Sequence, residues 1–440
     1  MKSFQQLLSQ PETRTRAICF FVLTVLQTLF GPMDVYVFPN AVTVGLDEVV
    51  SVKLILSVWI GIAALWGLLI LPSVREAMIT LPAIAISLLL GLTVLGATSG
   101  INSAAIPSSI INFVNLIFVA SSLSVLGLRA FSLAVIGGTF LTATFGLYWY
   151  YFYPLYGVFG EPIENGEFLY RLGGLAHPNS IARTALIGTL LSLYLFRTKE
   201  TTWLQTSILI LFFGWNIILA KSRTAVVAGF VGCCVLYSDK IRSRAGFAAA
   251  VCVGVLIVAG LFAMFAIGKE DRLMDKLVNV VSKSGNVEEL MSGTGRTAIW
   301  AEAARKISQR PIVGYGLNSG PMLLTEFSAA THNALLHATL SGGIFAGLLM
   351  LGLQFWVGWN ALQNTNLVIR GLCTLLSISC LAEDTVLETF PGPCTLMWFV
   401  CCVYPAMSQL PNQSIYLLDD VEDLEDLTED SSLPIRSFTS

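Results

Sequence analysis

The chain has three histidines in 440 residues, and two stand in polar phrases that break apolar sequence: Leu175-Ala176-His177-Pro178-Asn179 and Thr331-His332-Asn333-Ala334. Cations gather near both. Arg171, Arg183, Lys221 and Arg223 lie in or beside short connections between hydrophobic runs, and Arg296 precedes His332 in a longer polar stretch. A cation held in a membrane costs roughly 2–3 kcal/mol unless it is paired or solvated, so such placement points to use. Guanidinium forks match phosphate oxygens, and an imidazole titrating near neutrality can accept a proton from a hydroxyl. The combination suits an anionic ligand with a base beside it.

Arg296 gains weight from its surroundings. Thr294 can cap a helix that begins near Gly295-Arg296-Thr297-Ala298-Ile299-Trp300 and ends near Gln309, ahead of Arg310-Pro311. Ile299, Trp300, Ala303, Ala304 and Ile307 recur at helical spacing and give one apolar face. A cation in the first turn opposes the helix dipole by about 0.3–1 kcal/mol, and a bound anion reverses that sign. Helix-start N–H groups beside a guanidinium suit a phosphate or pyrophosphate; a solvated surface arginine is the alternative. Beyond the turn at Pro311-Ile312-Val313-Gly314-Tyr315-Gly316, His332 opens the next apolar run, as a general base or as a structural histidine. His337 reads as packed, and Gly343 with Gly347 reads as a small-residue face for helix packing.

These residues need a scaffold, and composition says which kind. With 55% hydrophobic and 12% charged residues and a mean hydropathy of +0.73, the chain reads as an all-α membrane protein. Apolar runs near 17–31, 52–73, 80–97, 109–127, 130–152, 180–197, 202–220, 224–238, 245–268, 333–357, 367–386 and 390–407 predict about twelve transmembrane helices. The first follows Lys2, Arg14 and Arg16 without a cleavage site, so it is expected to stay as an anchor. Arg75, Arg129, Arg197, Lys199, Lys240, Arg242 and Arg244 fall in alternate connections, which predicts that both termini are cytoplasmic. Residues 1–408 form the membrane domain, with outer loops at 153–179 and 269–332, the latter a helical extracytoplasmic domain. Residues 409–440 form an acidic cytoplasmic tail whose leucines permit an amphipathic helix. The nine cysteines lack zinc spacing and are assigned no chemistry. On the outer side, Glu383, Asp384 and Glu388 are placed to pair with the arginines and orient them.

The ordered set Arg171-Leu-Gly-Gly-Leu-Ala-His177-Pro-Asn179, Lys221-Ser222-Arg223-Thr224-Ala225, Gly295-Arg296-Thr-Ala-Ile-Trp300, Pro311-Ile-Val-Gly314-Tyr-Gly316 and His332-Asn333 resembles the O-antigen ligase and O-antigen polymerase superfamily. The resemblance covers residues 165–360. It implies a metal-independent inverting glycosyltransferase of the bacterial inner membrane, acting on its periplasmic side. The donor would be an undecaprenyl-pyrophosphate-linked glycan, and the acceptor lipid A core or a growing polysaccharide. The pyrophosphate-binding positions are then Arg171, Arg223 and Arg296, with Lys221 beside them, and His332 activates the acceptor with Arg296 as its catalytic partner. His177, Asn179 and Asn333 are expected to support them.

Ligase and polymerase share these motifs. A metal-dependent transferase would want paired outer acids, and Asp34 with Asp47-Glu48 has no such spacing. A lipid-linked oligosaccharide flippase or other transporter is expected to show repeated halves, and none is visible. No metal, cofactor or nucleic acid is implied; membrane lipids are the remaining partner.

Overall fold

A hydrocarbon core offers no water to backbone N–H and C=O groups, so long apolar runs must satisfy them internally as helices. The computed structural model follows this rule over the residues it describes, 2–9, 11–34, 47–162, 168–173, 175–241, 296–324, 330–384 and 386–409. In order these form α1 (Lys2–Ser9), α2 (Pro11–Phe30), α3 (Asp47–Ile70), α4 (Pro72–Met78), α5 (Leu81–Gly96), α6 (Ala105–Phe152), α7 (Pro154–Gly157), β1 (Val158–Pro162) and β2 (Phe168–Leu172). Then come α8 (Pro178–Arg197), α9 (Trp203–Ala220), α10 (Arg223–Leu236), α11 (Ser238–Ile241), α12 (Arg296–Gln309), α13 (Gly320–Leu323), α14 (Ala334–Gln363), α15 (Leu367–Ala382) and α16 (Pro393–Met407).

Among the described residues, seven helices are long and apolar enough to cross a membrane, and α10, α15 and α16 are shorter apolar helices. The protein is a mostly helical membrane protein. The runs expected separately at 109–127 and 130–152 are the two helical halves of α6, which meet at Gly127 in a non-helical conformation (φ 69°, ψ 169°). Glycine tolerates this left-handed φ because it has no Cβ, so the chain reverses direction without a loop. The run at 245–268, Thr294, residues 269–295 and the tail from 410 lie outside the described residues.

α16 lines the core. Leu396, Trp398, Phe399, Val400, Cys401 and Cys402 are buried, packed against α6, α15 and α8. The opposite environment is seen on α3, where Ile55, Val58, Trp59, Ile62, Leu65 and Leu69 are exposed and face the lipid by composition. Following the helix directions, Arg75, Arg129, Arg197 and Lys199 gather at the end of the bundle away from His177 and His332. Ser73 Oγ meets Ser124 Oγ at 3.0 Å near the α6 kink, and Arg197 bonds the Leu236 carbonyl and both oxygens of Asp239.

Two features depart from the sequence reading. The first outer segment contains an antiparallel hairpin in which Phe159 pairs with Arg171 and Gly160 with Tyr170, so the fold is not purely α. Asn165-Gly166, between two runs rich in aromatic and β-branched residues, is a hairpin signal in the sequence that the helical periodicity concealed. Gly343 does more than pack. It breaks α14 with φ 79° and ψ −174°, and the Pro311–Gly316 turn fills the break. The Tyr315 and Gly316 N–H groups donate to the Leu340 and Ser341 carbonyls at 2.9 and 2.8 Å, and the Ile344 N–H donates to the Pro311 carbonyl at 2.7 Å. A Cβ on Gly343 would collide with the Ile312 carbonyl. Gly343→Ala should therefore lower stability by about 1–3 kcal/mol or more, read as a fall in thermal unfolding temperature in detergent. An unchanged temperature would remove the strain argument. Gly347 faces Thr339 of its own helix, whereas Gly342 meets Leu92 and Thr93 of α5, so the close approach lies one residue before the break.

Candidate active site

α12 is described from Arg296 and ends at Gln309, ahead of Arg310-Pro311. Ile299 and Ala303 are buried with Tyr315, Leu324 and Leu340, and Ile307 packs against them, so the helix lies on the bundle through that face. Ala304 is exposed and outside it. The Trp300 indole donates to the Thr331 carbonyl at 3.0 Å, which ties α12 to the backbone before His332. His332 itself takes the left-handed conformation, φ 51°. Non-glycine residues held there cost of order 1–3 kcal/mol and concentrate where geometry serves function.

The centre of the cluster is Glu383, which caps the end of α15. Its Oε1 accepts from Arg296 Nη2 at 3.1 Å and from Asn179 Nδ2 at 2.8 Å. Its Oε2 lies 3.0 Å from His332 Nδ1 and 3.6 Å from Arg183 Nη1. Burial disfavours this carboxylate, but the His332 hydrogen bond and the charges of Arg183, His332 and Arg296 outweigh burial and hold its pKa down to about 2. For His332 the balance runs the same way. Burial lowers its pKa, and the hydrogen bond and charge of Glu383, with Asp384, more than compensate, leaving it raised against Arg296. A raised pKa with Nδ1 fixed makes a stronger base of the ring.

Asn179 links this centre to Arg171. The Arg171 Nη2 donates to Asn179 Oδ1 at 2.7 Å, Nη1 pairs with Glu161 Oε2 at 2.7 Å, and Nε donates to the Ala220 carbonyl at 2.9 Å. Arg171 is 2% exposed, so protein partners occupy it on three sides. Through Ala220 it fixes the turn carrying Lys221, which caps α9 with φ 49°. Partial burial, then the charge of Arg171, lowers the Lys221 pKa. Arg223 opens α10 two residues on.

His177 caps α8, accepting the Asn179 N–H on Nδ1 at 3.3 Å, with its ring edge-on to Phe159 at 5.1 Å. Burial and the Arg171 charge lower its pKa to about 3, so it is neutral near pH 7. Asn333 caps α14 through the Leu336 N–H at 3.0 Å and donates to the Leu381 carbonyl at 3.1 Å, binding α14 to α15 beside Glu383. Asp384 accepts the Thr331 N–H at 3.3 Å, and buried His337 sits 4.0 Å from it. His332, Arg296, Asn179 and Arg171 are thus brought together, with Asn333, His177 and Lys221 around them.

Sequence reasoning counted Arg183 among the cations placed for use without giving it a role, left out Glu161, and placed Glu383 only in outline. The signal for Arg183 was its spacing: Asn179 and Arg183 are four apart, on one helical face. Glu161 became legible only once the hairpin put it diagonally across from Arg171, on the same face.

His332, Glu383 and Asp384 offer ligand atoms within 4.8 Å of one another, the spacing of a metal site. The donor set does not fit one. Both oxygens of Glu383 already engage Arg296, Asn179 and His332, with Arg183 behind, and a divalent ion would have to displace or face those cations. The arrangement instead sets guanidiniums against that carboxylate on a hydrogen-bonded scaffold.

No curated protein matches the chain. Residues 208–351 match the family model described as O-antigen ligase, a stretch containing Lys221, Arg223, Arg296 and His332. Members of that family are glycosyltransferase-like enzymes. Over residues 208–351 the chain therefore carries a domain of the O-antigen ligase superfamily, embedded in a helical membrane protein.

Proposed function

We propose that the protein is an O-antigen ligase-like glycosyltransferase that moves a glycan from an undecaprenyl-pyrophosphate-linked donor to an acceptor hydroxyl on lipid A core, at the periplasmic face of the bacterial inner membrane. The observation that carries this reading is the convergence of Arg296, Arg183 and His332 on Glu383, linked through Asn179 to Arg171. Twelve crossings with cytoplasmic termini, and residues 269–332 as a loop domain over the site, belong to the same reading.

In the proposed reaction the acceptor oxygen attacks the anomeric carbon from the face opposite the pyrophosphate, and the bond to the phosphate oxygen breaks. The configuration inverts in a single displacement. The bonding electrons leave with the lipid pyrophosphate, whose charge is met by Arg296, Arg223 and Lys221, with Arg171 holding the Ala220–Lys221 turn in place. Such preorganised cations stabilise the leaving group without reorganisation. Glu383 fixes Nδ1 of His332, so the acceptor proton passes to Nε2. No metal enters any step.

The test is to incubate purified protein with a lipid-pyrophosphate-linked repeat, with and without lipid A core, and with a chelator in a parallel arm. Glycan on the core supports a ligase, whereas a ladder of lipid-linked chains assigns the polymerase activity of the same superfamily. Activity should be unchanged in the chelator; its loss would remove metal independence. Transport without a new glycosidic bond would overturn the reading.

A further inference from the structure

The chemistry above makes no use of Arg183. It lies on α8, four residues beyond Asn179, and is 7% exposed. A guanidinium cannot give up its proton in a protein, so burial obliges it to keep a counter-ion. Glu383 faces it from the end of α15, Glu388 from the connection that follows, the Cys394 thiol from the first turns of α16, and His177 from the start of its own helix. Burial pushes Glu388 up to about 7, which leaves it partly neutral near neutrality. The standing counter-ion is Glu383.

Glu383 has more partners than one carboxylate needs, and they differ in freedom to leave. The Arg296 side chain is 23% exposed and that of Arg183 is 9% exposed. A donor pyrophosphate can draw Arg296 away; Arg183 is held in the core. Arg183 also keeps donors in reserve, since its Nε and Nη1 have no hydrogen-bond partner among the described residues. Those donors can close on Glu383 once Arg296 has moved.

We infer that Arg183 is a positioning residue, the resident counter-ion that holds Glu383 beneath His332 while Arg296 transfers to the donor. Its effect on catalysis rests on the glycosyl-transfer reading, whereas its hold on Glu383 and His332 does not. His332 is faced by Glu383 and Asp384 from the segment after α15, by Arg296 from α12 and by His177 from the start of α8. Without Arg183, the charge of Glu383 falls more fully on His332. The imidazole then keeps its proton to higher pH.

Arg183→Gln should move the acid limb of the pH–rate profile up by about one unit and slow transfer about tenfold on that limb, with recovery at alkaline pH. The donor KM should stay as in the wild type, and Arg183→Lys should restore the profile. Titration of the labelled histidines by NMR, which needs no substrate, should show His332 displaced upward by a matching amount in Arg183→Gln. A displaced His332 without transfer in any variant would leave the positioning role standing and refute the transferase reading. An unmoved His332, or a donor KM and an inhibition by inorganic pyrophosphate each weakened about tenfold, would overturn the inference; the second result would make Arg183 a direct anion ligand. If Arg183→Gln does not fold, Arg183→Lys carries the test: its donor KM should match the wild type, and a rise of about tenfold refutes the inference.

Discussion

His332→Ala should reduce glycosyl transfer by about 10²–10⁴-fold, the range expected when a positioned general base is removed. The loss should appear in kcat with little change in donor KM, because His332 is tied to Glu383 and the cation cluster is left in place. Arg296→Ala should differ in kind. It removes a cation that meets the pyrophosphate, so the donor KM rises as well as kcat falling, by about 10²–10³-fold in kcat if it acts as an electrostatic stabiliser. Steady-state kinetics with a lipid-pyrophosphate donor separate the two, and a fully active His332→Ala would refute the base. The sign of the pH dependence follows from the same contacts. His332 acts when neutral, and its pKa is raised, so wild-type activity should decline as pH falls through that raised value.

Glu383→Gln should be the most damaging substitution to the fold at this end of the bundle. The change leaves Arg183 buried and Arg296 half-buried with an amide where a charge had been, and breaking a buried pair in this way costs about 3–5 kcal/mol. Thermal unfolding in detergent should show the loss. The double variant Arg183→Gln with Glu383→Gln should regain part of it, since no buried cation is then uncompensated. Equal stability of the single and double variants would mean that Glu383 is not the counter-ion. The carboxyl is held down to about 2 from an ordinary value near 4.5. A lowered folded-state pKa contributes stability that is present above the unfolded value and lost as pH falls through the folded one. Its share should therefore disappear between about 4.5 and about 2, and acid unfolding of Glu383→Gln should be less steep there.

Much of the scaffold was legible because membrane helices are dictated locally. Apolar length and the absence of water fix helix formation run by run, so α2, α3, α5, α8, α9 and α14 overlap the expected spans closely. The end of α12 came from periodicity and the Arg310-Pro311 stop in the same local way. Hydropathy separates the two halves of α6 and does not report that one glycine, Gly127, joins them without a loop. It was equally blind to the hairpin of two five-residue strands, whose period is not helical, and to the break at Gly343, whose carbonyls find their partners in the Pro311–Gly316 turn.

The site divides along the same line. The sequence by itself determined which groups were available: scarce histidines and arginines in a chain too apolar to carry them idly, placed at helix ends. Tertiary structure decided which carboxylate they share. Glu383 lies 87 residues from Arg296 and 204 from Asn179 along the chain, and neither periodicity nor spacing reports on that distance. Arg183 shows the reason most directly. On the sequence it is one of four cations beside short connections, and only burial beside Glu383 gives it a counter-ion, because the strength of a charge pair is set by the water excluded around it.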